Sequence, residues 1–230
     1  MLAKAGTSAR IGGVIADAYG KHSITDCGNS AAITNNSASV KDVRLAGILA
    51  SNTNNSTSII GCTNTGKLLS NTSGTLAVGY FAGILGYKSE VKNTIDACEN
   101  LADVEVSATK IEKIFIGGIN AYNNADGSSI TNCKVLCSLI TKTTPTTKYI
   151  GMIGGYMYSP IINTTGFAGK FDNTTVNMSN WNKISTIVGG FKTTSDGINV
   201  SSDASSCYFI SSNPAFGADD LIKDEDDKNW

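Results

Sequence analysis

Apolar residues along this chain come in short bursts of four to seven, many of them β-branched, separated by Gly, Asn, Ser and Thr. That is strand-and-turn chemistry, because an amphipathic helix needs apolar residues at helical spacing over about ten positions or more. The bursts recur as Arg10-Ile-Gly-Gly-Val-Ile-Ala16, Arg44-Leu-Ala-Gly-Ile-Leu-Ala50, Tyr80-Phe-Ala-Gly-Ile-Leu-Gly86, Phe115-Ile-Gly-Gly-Ile-Asn-Ala121, Tyr149-Ile-Gly-Met-Ile-Gly-Gly155 and Thr186-Ile-Val-Gly-Gly-Phe191. Their second small residue falls at Gly13, Gly47, Gly83 and Gly118, in steps of 34, 36 and 35. The fifth burst carries Met152 at that place, and the sixth resumes at Gly189.

A second anchor keeps step with the first. It reads Ile24-Thr-Asp-Cys27, Ile59-Ile-Gly-Cys62, Ile95-Asp-Ala-Cys98 and Ile130-Thr-Asn-Cys133, then Ile162-Asn-Thr-Thr165 with Thr in place of Cys. Six residues after each anchor comes an apolar residue: Ile33, Leu68, Val104, Leu139 and Phe171. Two residues after the anchor, three units carry Asn29, Asn64 and Asn100.

A unit near 35 residues with two or three short strands predicts one coil of a parallel β-solenoid, an all-β fold in which each coil pairs with its equivalents above and below. The expected array is six coils, near residues 9–42, 43–78, 79–114, 115–148, 149–184 and 185–200. Residues 201–230 then read as a terminal coil or cap ending in an acidic tail, or as the start of a further module. Equivalent residues stack about 4.8 Å apart. The predicted columns are Gly13, Gly47, Gly83 and Gly118; Cys27, Cys62, Cys98 and Cys133; and Ile33, Leu68, Val104, Leu139 and Phe171. Ile and Cys of the second anchor lie three apart, so strict alternation cannot turn both inward. The residue before Cys, which is Asp26, Gly61, Ala97 or Asn132, must therefore make a bulge or corner. Asn52–Thr57 reads as a tolerant turn.

Composition fits an extracellular β-protein. Charged residues are 16%, below the roughly 25% of average soluble chains, while 41% hydrophobic residues suffice for a core. The net charge is −1 and the arginines are only Arg10 and Arg44, which leaves no basic face for nucleic acid. No apolar run reaches the length of a transmembrane helix. The N-terminus lacks the apolar core of a signal peptide. The repeat is under way by about residue 10, so the sequence reads as part of a longer chain.

The order Gly-Gly-aliphatic-aliphatic-Gly/Ala, then Ile-x-Asn/Asp-Cys, then a Gly/Asn turn and an aliphatic strand resembles the GLUG-motif repeat family. Phe81-Ala-Gly-Ile-Leu-Gly86 and Ile130-Thr-Asn-Cys133 match best. The ending Cys207-Tyr-Phe-Ile210, Asp219-Asp-Leu-Ile222 and Trp230 also resembles the way such arrays close. The resemblance spans roughly residues 9–230 and departs at Met152 and Thr165. It implies large secreted or surface proteins of bacteria, including gut Bacteroidetes, with β-solenoid stalks or adhesin-like regions. Some members carry an immunoglobulin-cleaving metallopeptidase. That activity does not transfer, since no His-Glu-x-x-His occurs and the only histidine is His22.

No catalytic, cofactor-binding or metal-binding constellation stands out. Cys27, Cys62, Cys98, Cys133, Cys137 and Cys207 leave three alternatives open: free core thiols, a disulfide or a metal site. In-register parallel side chains point the same way and suit a disulfide poorly, which favours core thiols. His22 beside Cys27 reads as a solvated loop histidine, and Asp224–Asp227 as a solvated run without calcium-loop spacing. The glycine pairs lack the Gly-Lys-Ser/Thr of a phosphate loop. Tyr80, Tyr149, Tyr156 and Tyr158 are the aromatic candidates, and Tyr80 and Tyr149 share a repeat position with Phe115, as a packing column would. The expected function is adhesion, or display as a spacer stalk, outside the cell, with a glycan or host-surface protein as partner. The alternative is a carbohydrate-binding or polysaccharide-lyase-like β-helix, which should show an aromatic row or a carboxylate cluster on one face.

Overall fold

The bursts fold as strands because β-branched residues fit a pleated surface while Gly and Asn close each run. The computed structural model describes residues 7–53, 55–89, 91–125 and 127–157, then 161–162, 164–171, 184–185, 204–205 and 208–211. Among these there is no helix, and the strand pairings are parallel, in three sheets of thirteen, five and six strands. One circuit shows the pattern. Leu68–Ala82 lies in the first sheet, Leu85–Ser89 in the second and Asn93–Asp96 in the third, and Glu99–Asn100 returns to the first. Phe81 pairs with Leu45 one coil back and Ile116 one coil on.

The chain is thus a parallel β-solenoid, with about four turns where six coils were expected. The physical reason lies in the spacing. Ile130 pairs with Ile161, a step of 31, and Ile161 with Ala204, a step of 43, so the regular period ends in the fifth unit. Beyond residue 157 the fifth unit and the terminal segment contribute short stretches such as Thr165–Phe171 and Tyr208–Ser211, still paired in parallel. The rest of residues 201–230, including Cys207 and Asp224–Asp227, lies outside the described residues.

The interior is a set of columns. Ile24, Ile59, Ile95 and Ile130 stack in the third sheet, and Leu45, Phe81, Ile116 and Ile150 in the first, all buried. Ile33 pairs with Leu68, Leu68 with Val104, Val104 with Leu139, and Leu139 with Phe171. Each fully buried large aliphatic contributes about 1.5–3 kcal/mol. The corner before each cysteine is a left-handed residue, with φ of 53° at Asp26, 63° at Gly61, 50° at Ala97 and 53° at Asn132. Asp, Asn and Gly accept this conformation readily, whereas Ala97 pays for its Cβ. The corners also stack: Asp26 N–H donates to Ile60 O at 2.9 Å, Gly61 to Asp96 O at 3.0 Å and Ala97 to Thr131 O at 3.1 Å.

Three sequence expectations need correction. The fifth unit is shifted by one residue: Ile161, not Ile162, pairs with Ile130, and the Thr164 hydroxyl, rather than Thr165, accepts from Cys133 N–H at 3.3 Å. A register irregularity between Cys137 and Leu139 absorbs the shift and brings Phe171 opposite Leu139. Secondly, the strands are not all short: the Asn/Thr-rich stretch after Leu68 belongs to one strand, continuous over Leu68–Ala82 with a bulge between Thr72 and Thr75. Its polar groups find partners on the next coil, where Ser107 Oγ donates to Asn71 Oδ1 at 2.8 Å and Thr109 Oγ1 to Ser73 O at 2.8 Å. Thirdly, Asn52–Thr57 is not uniformly tolerant, because Asn52 and Thr57 are buried and hydrogen-bonded to each other. No helix among the described residues is long and apolar enough to cross a membrane.

Leu68→Asn and Val104→Asn should each destabilise by about 3–5 kcal/mol, while Ser56→Ala should stay within about 0.5 kcal/mol. Urea midpoints of the three variants check this register, and equal midpoints would reject it.

Candidate functional site

Gly13, Gly47, Gly83 and Gly118 fall where the first sheet bends into the second. Each N–H donates to the next coil: Gly13 to Ala46 O at 3.1 Å, Gly47 to Ala82 O at 3.3 Å, Gly83 to Gly118 O at 3.0 Å and Gly118 to Met152 O at 2.8 Å. Their missing side chains make room for the Asn column. A Cβ on Gly13, Gly47 or Gly83 would stand 2.6, 2.3 or 2.1 Å from the Cγ of Asn29, Asn64 or Asn100. Those amides form a buried chain, Asn29 Nδ2 to Asn64 Oδ1 and Asn64 Nδ2 to Asn100 Oδ1, both at 2.8 Å. The chain ends at Asn100 Nδ2 on Cys137 Sγ, 3.4 Å away, because Val135 takes the next place. The glycines and asparagines are therefore one packing device.

All five described cysteines are unbridged. Cys62 Sγ donates to Ile24 O at 3.6 Å, Cys98 to Ile59 O at 3.5 Å and Cys133 to Ile95 O at 3.9 Å, so the thiols tie each coil to the one before. Burial pushes the Cys62 thiol up to about 11, and it also raises Cys137. The hydrogen bond with Cys133, followed by burial, raises Cys98. High thiol pKa values leave little thiolate, which is the nucleophilic and metal-binding form. Cys27, in the first coil, is half-buried and donates to Thr25 O, while His22 Nε2 bonds Tyr19 O at 2.8 Å. The two side chains thus have separate partners. Among the described residues no three His, Cys, Asp or Glu side chains gather as a metal-binding group.

The most organised outward feature runs along the re-entrant corner between the first and second sheets. Residues seven apart, on either side of the glycine bend, meet there in five successive coils. Arg10 pairs with Asp17 at 3.2 Å, and Arg44 Nη1 donates to Ser51 Oγ at 2.8 Å. Tyr80 then meets Tyr87 edge to face at 4.8 Å between centroids, Phe115 meets Tyr122 at 5.0 Å and Tyr149 meets Tyr156 at 5.2 Å. Along the axis the rings stack nearly parallel, Tyr80 on Phe115 on Tyr149 and Tyr87 on Tyr122 on Tyr156, at 5.0–5.5 Å. Arg44 closes the aromatic end. Its guanidinium carbon lies 3.8 Å from the Tyr87 centroid, and Nη2 holds Asp42 at 3.0 Å. Burial pushes Tyr122 up to about 12 and raises Tyr80, with Asp42 adding to the latter.

Tyr80, Tyr149 and Tyr156 are thus brought together, and Tyr158 lies outside the described residues. Tyr87 and Tyr122 belong to the same array. The repeated spacing of seven across each glycine bend was the signal for them, visible at 80 and 87, 115 and 122, and 149 and 156. Ring faces inside the columns are occupied by neighbouring rings, so edges and hydroxyls are what the corner presents.

The second sheet hides one further group. Lys88 pairs in register with Asn52 and Asn123, is fully buried, and donates to the Asn55 carbonyl. No carboxylate among the described residues pairs with it. Burial lowers its pKa to about 8 from 10.5. By contrast, Glu105 bridges Lys67 and Lys142 on the coils either side, and these two amines hold its carboxyl below the usual range.

Comparison with family models, with curated proteins and with solved structures gives no match to this chain.

Two outcomes follow from the buried groups. In a Cys207→Ser variant, a thiol reagent at pH 8 should label Cys27 first and the other four cysteines only on unfolding; simultaneous labelling of all five in the native protein would contradict the buried column. For Lys88 the unfolded amine binds its proton more tightly than the folded one, so stability should rise with pH above about 8. The full cost of the buried charge is on the order of 3 kcal/mol. The urea midpoint of the wild type should therefore climb between pH 7 and 9 relative to Lys88→Met, and parallel curves would count against a pKa lowered by burial.

Proposed function

We propose that this chain is a non-catalytic repeat region of a secreted or cell-surface protein, serving in adhesion or as a display and spacer stalk. One observation carries the reading: the groups most capable of chemistry are engaged with their counterparts along the solenoid. Arg44 is held by Asp42, Ser51 and Tyr87. Glu105 is held by Lys67 and Lys142, and the thiols by backbone carbonyls of the preceding coil. A molecule built this way offers long faces and stiffness rather than converging reactive groups.

The resemblance to GLUG-motif repeats supports the same reading and an extracellular setting. The aromatic corner gives the carbohydrate-binding alternative some footing, but its stacked rings favour packing over sugar stacking.

An immobilised array of glycans and host matrix proteins, probed with the whole chain, tests the proposal. A saturable signal supports adhesion, and uniform silence leaves the spacer role. Release of unsaturated uronates or new reducing ends from any polysaccharide would overturn the non-catalytic reading.

A further inference from the structure

Where the second sheet hands over to the third, the surface holds a depression of ≈ 400 Å³. It is lined by equivalent tripeptides of three consecutive coils, residues 21–23, 56–58 and 92–94. His22 pairs with Thr57 and Thr57 with Asn93, which sets Lys21, Ser56 and Lys92 in one column and Ser23, Ser58 and Thr94 in the next. Two rungs separate the lysines, roughly 10 Å, with a hydroxyl rung between them.

Arg10, Arg44, Lys67, Lys110 and Lys142 make ion pairs. The two lysines at the ends of this patch, Lys21 and Lys92, both exposed, have no ion-pair partner among the described residues, a state they share with the exposed Lys41, Lys113 and Lys134. No carboxylate among the described residues lines the depression. Asn93, a lining residue only 1% exposed, has its Nδ2 without a hydrogen-bond partner. The buried Lys88 amine bonds the carbonyl of Asn55, the residue before Ser56. The result is a groove with positive ends and hydroxyls between, running along the axis.

We propose that this groove binds an anionic polysaccharide strand, with carboxylate or sulfate groups at Lys21 and Lys92 and sugar hydroxyls against Ser23, Ser56, Ser58 and Thr94. Hydroxyls both donate and accept, which matches the polar rim of a sugar. Among the described residues no arginine lines the groove, and its one ring, the His22 imidazole, is held at Nε2 by Tyr19 O, so there is no row of rings to stack successive bases, which argues against single-stranded nucleic acid. The inference names a ligand class for the adhesive reading and rests on it.

Calorimetric titration of the whole chain with a polygalacturonate oligomer, a heparin-type sulfated oligosaccharide, neutral dextran and oligothymidylate tests the site. One or both anionic glycans should saturate, which separates carboxylate from sulfate recognition, while dextran stays silent. Lys21→Glu/Lys92→Glu should lose about tenfold or more in affinity, and Lys110→Glu/Lys134→Glu, at exposed lysines elsewhere, should keep it, with thermal melts confirming the fold. Unchanged binding by the groove variant, or oligothymidylate competing equally, would overturn the proposal. Glu90, two positions before Lys92, lies outside the described residues; Glu90→Gln should hold or strengthen binding, and a loss would speak against an anion site. Silence toward these glycans alongside saturable binding of a matrix protein sinks the groove and spares the adhesive reading. Silence toward both sinks both.

Discussion

Parallel in-register pairing is the constraint on which everything else here depends. Because each residue sits about 4.8 Å from its equivalent on the next coil, every position must tolerate a neighbour in its own place in the circuit. Aliphatic residues meet that demand anywhere inside. Asparagine meets it too, since its amide donates upward and accepts downward, and Asn29, Asn64 and Asn100 use this to line a buried position without an unsatisfied bond between coils. The cost falls on the opposite wall, where Gly13, Gly47 and Gly83 must give up a side chain so that those amides fit.

The same rule explains why charges are handled as they are. Like charges in adjacent rungs repel: Glu105 avoids this by standing over Leu69 and under Ile140 and drawing its lysines from flanking positions, while Arg10 and Arg44, which do share adjacent rungs, are each held by a carboxylate, Asp17 and Asp42. Lys88 takes an inward place that Asn52 and Asn123 hold on the neighbouring coils, and it answers burial with a lowered pKa and one backbone carbonyl. A low overall charge content is what a fold of this kind permits in its columns.

Much of this architecture was legible because columns write themselves into the sequence as a period. The step of about 35 located Ile33, Leu68, Val104 and Leu139 and placed a corner before each cysteine. What escaped was whatever the period does not carry. The slip from Ile162 to Ile161 is invisible when two isoleucines stand side by side, and only backbone pairing separates them. Asn52 and Thr57 look like turn residues by type, yet the bend between two sheets buries them. Tyr87 and Tyr122 obey a second spacing, seven residues within a coil, whose meaning depends on the chain doubling back at the glycine bend. The lysine groove is the harder case: Lys21, Ser56 and Lys92 share a column but no residue type, so no repeat search connects them.

Repeat arrays face a hazard that single-core domains escape, because any coil can in principle stack on any other and leave a misassembled ladder. The corner stripe makes the coils unequal. It runs from an ionic pair at Arg10 and Asp17, through Arg44 with Ser51, to aromatic pairs at Tyr80 with Tyr87 and onward. A slip of one whole coil would set Arg10 over an aromatic pair and strip Arg44 of Tyr87. The stripe therefore works as an address system, numbering otherwise interchangeable turns so that the winding has one correct order.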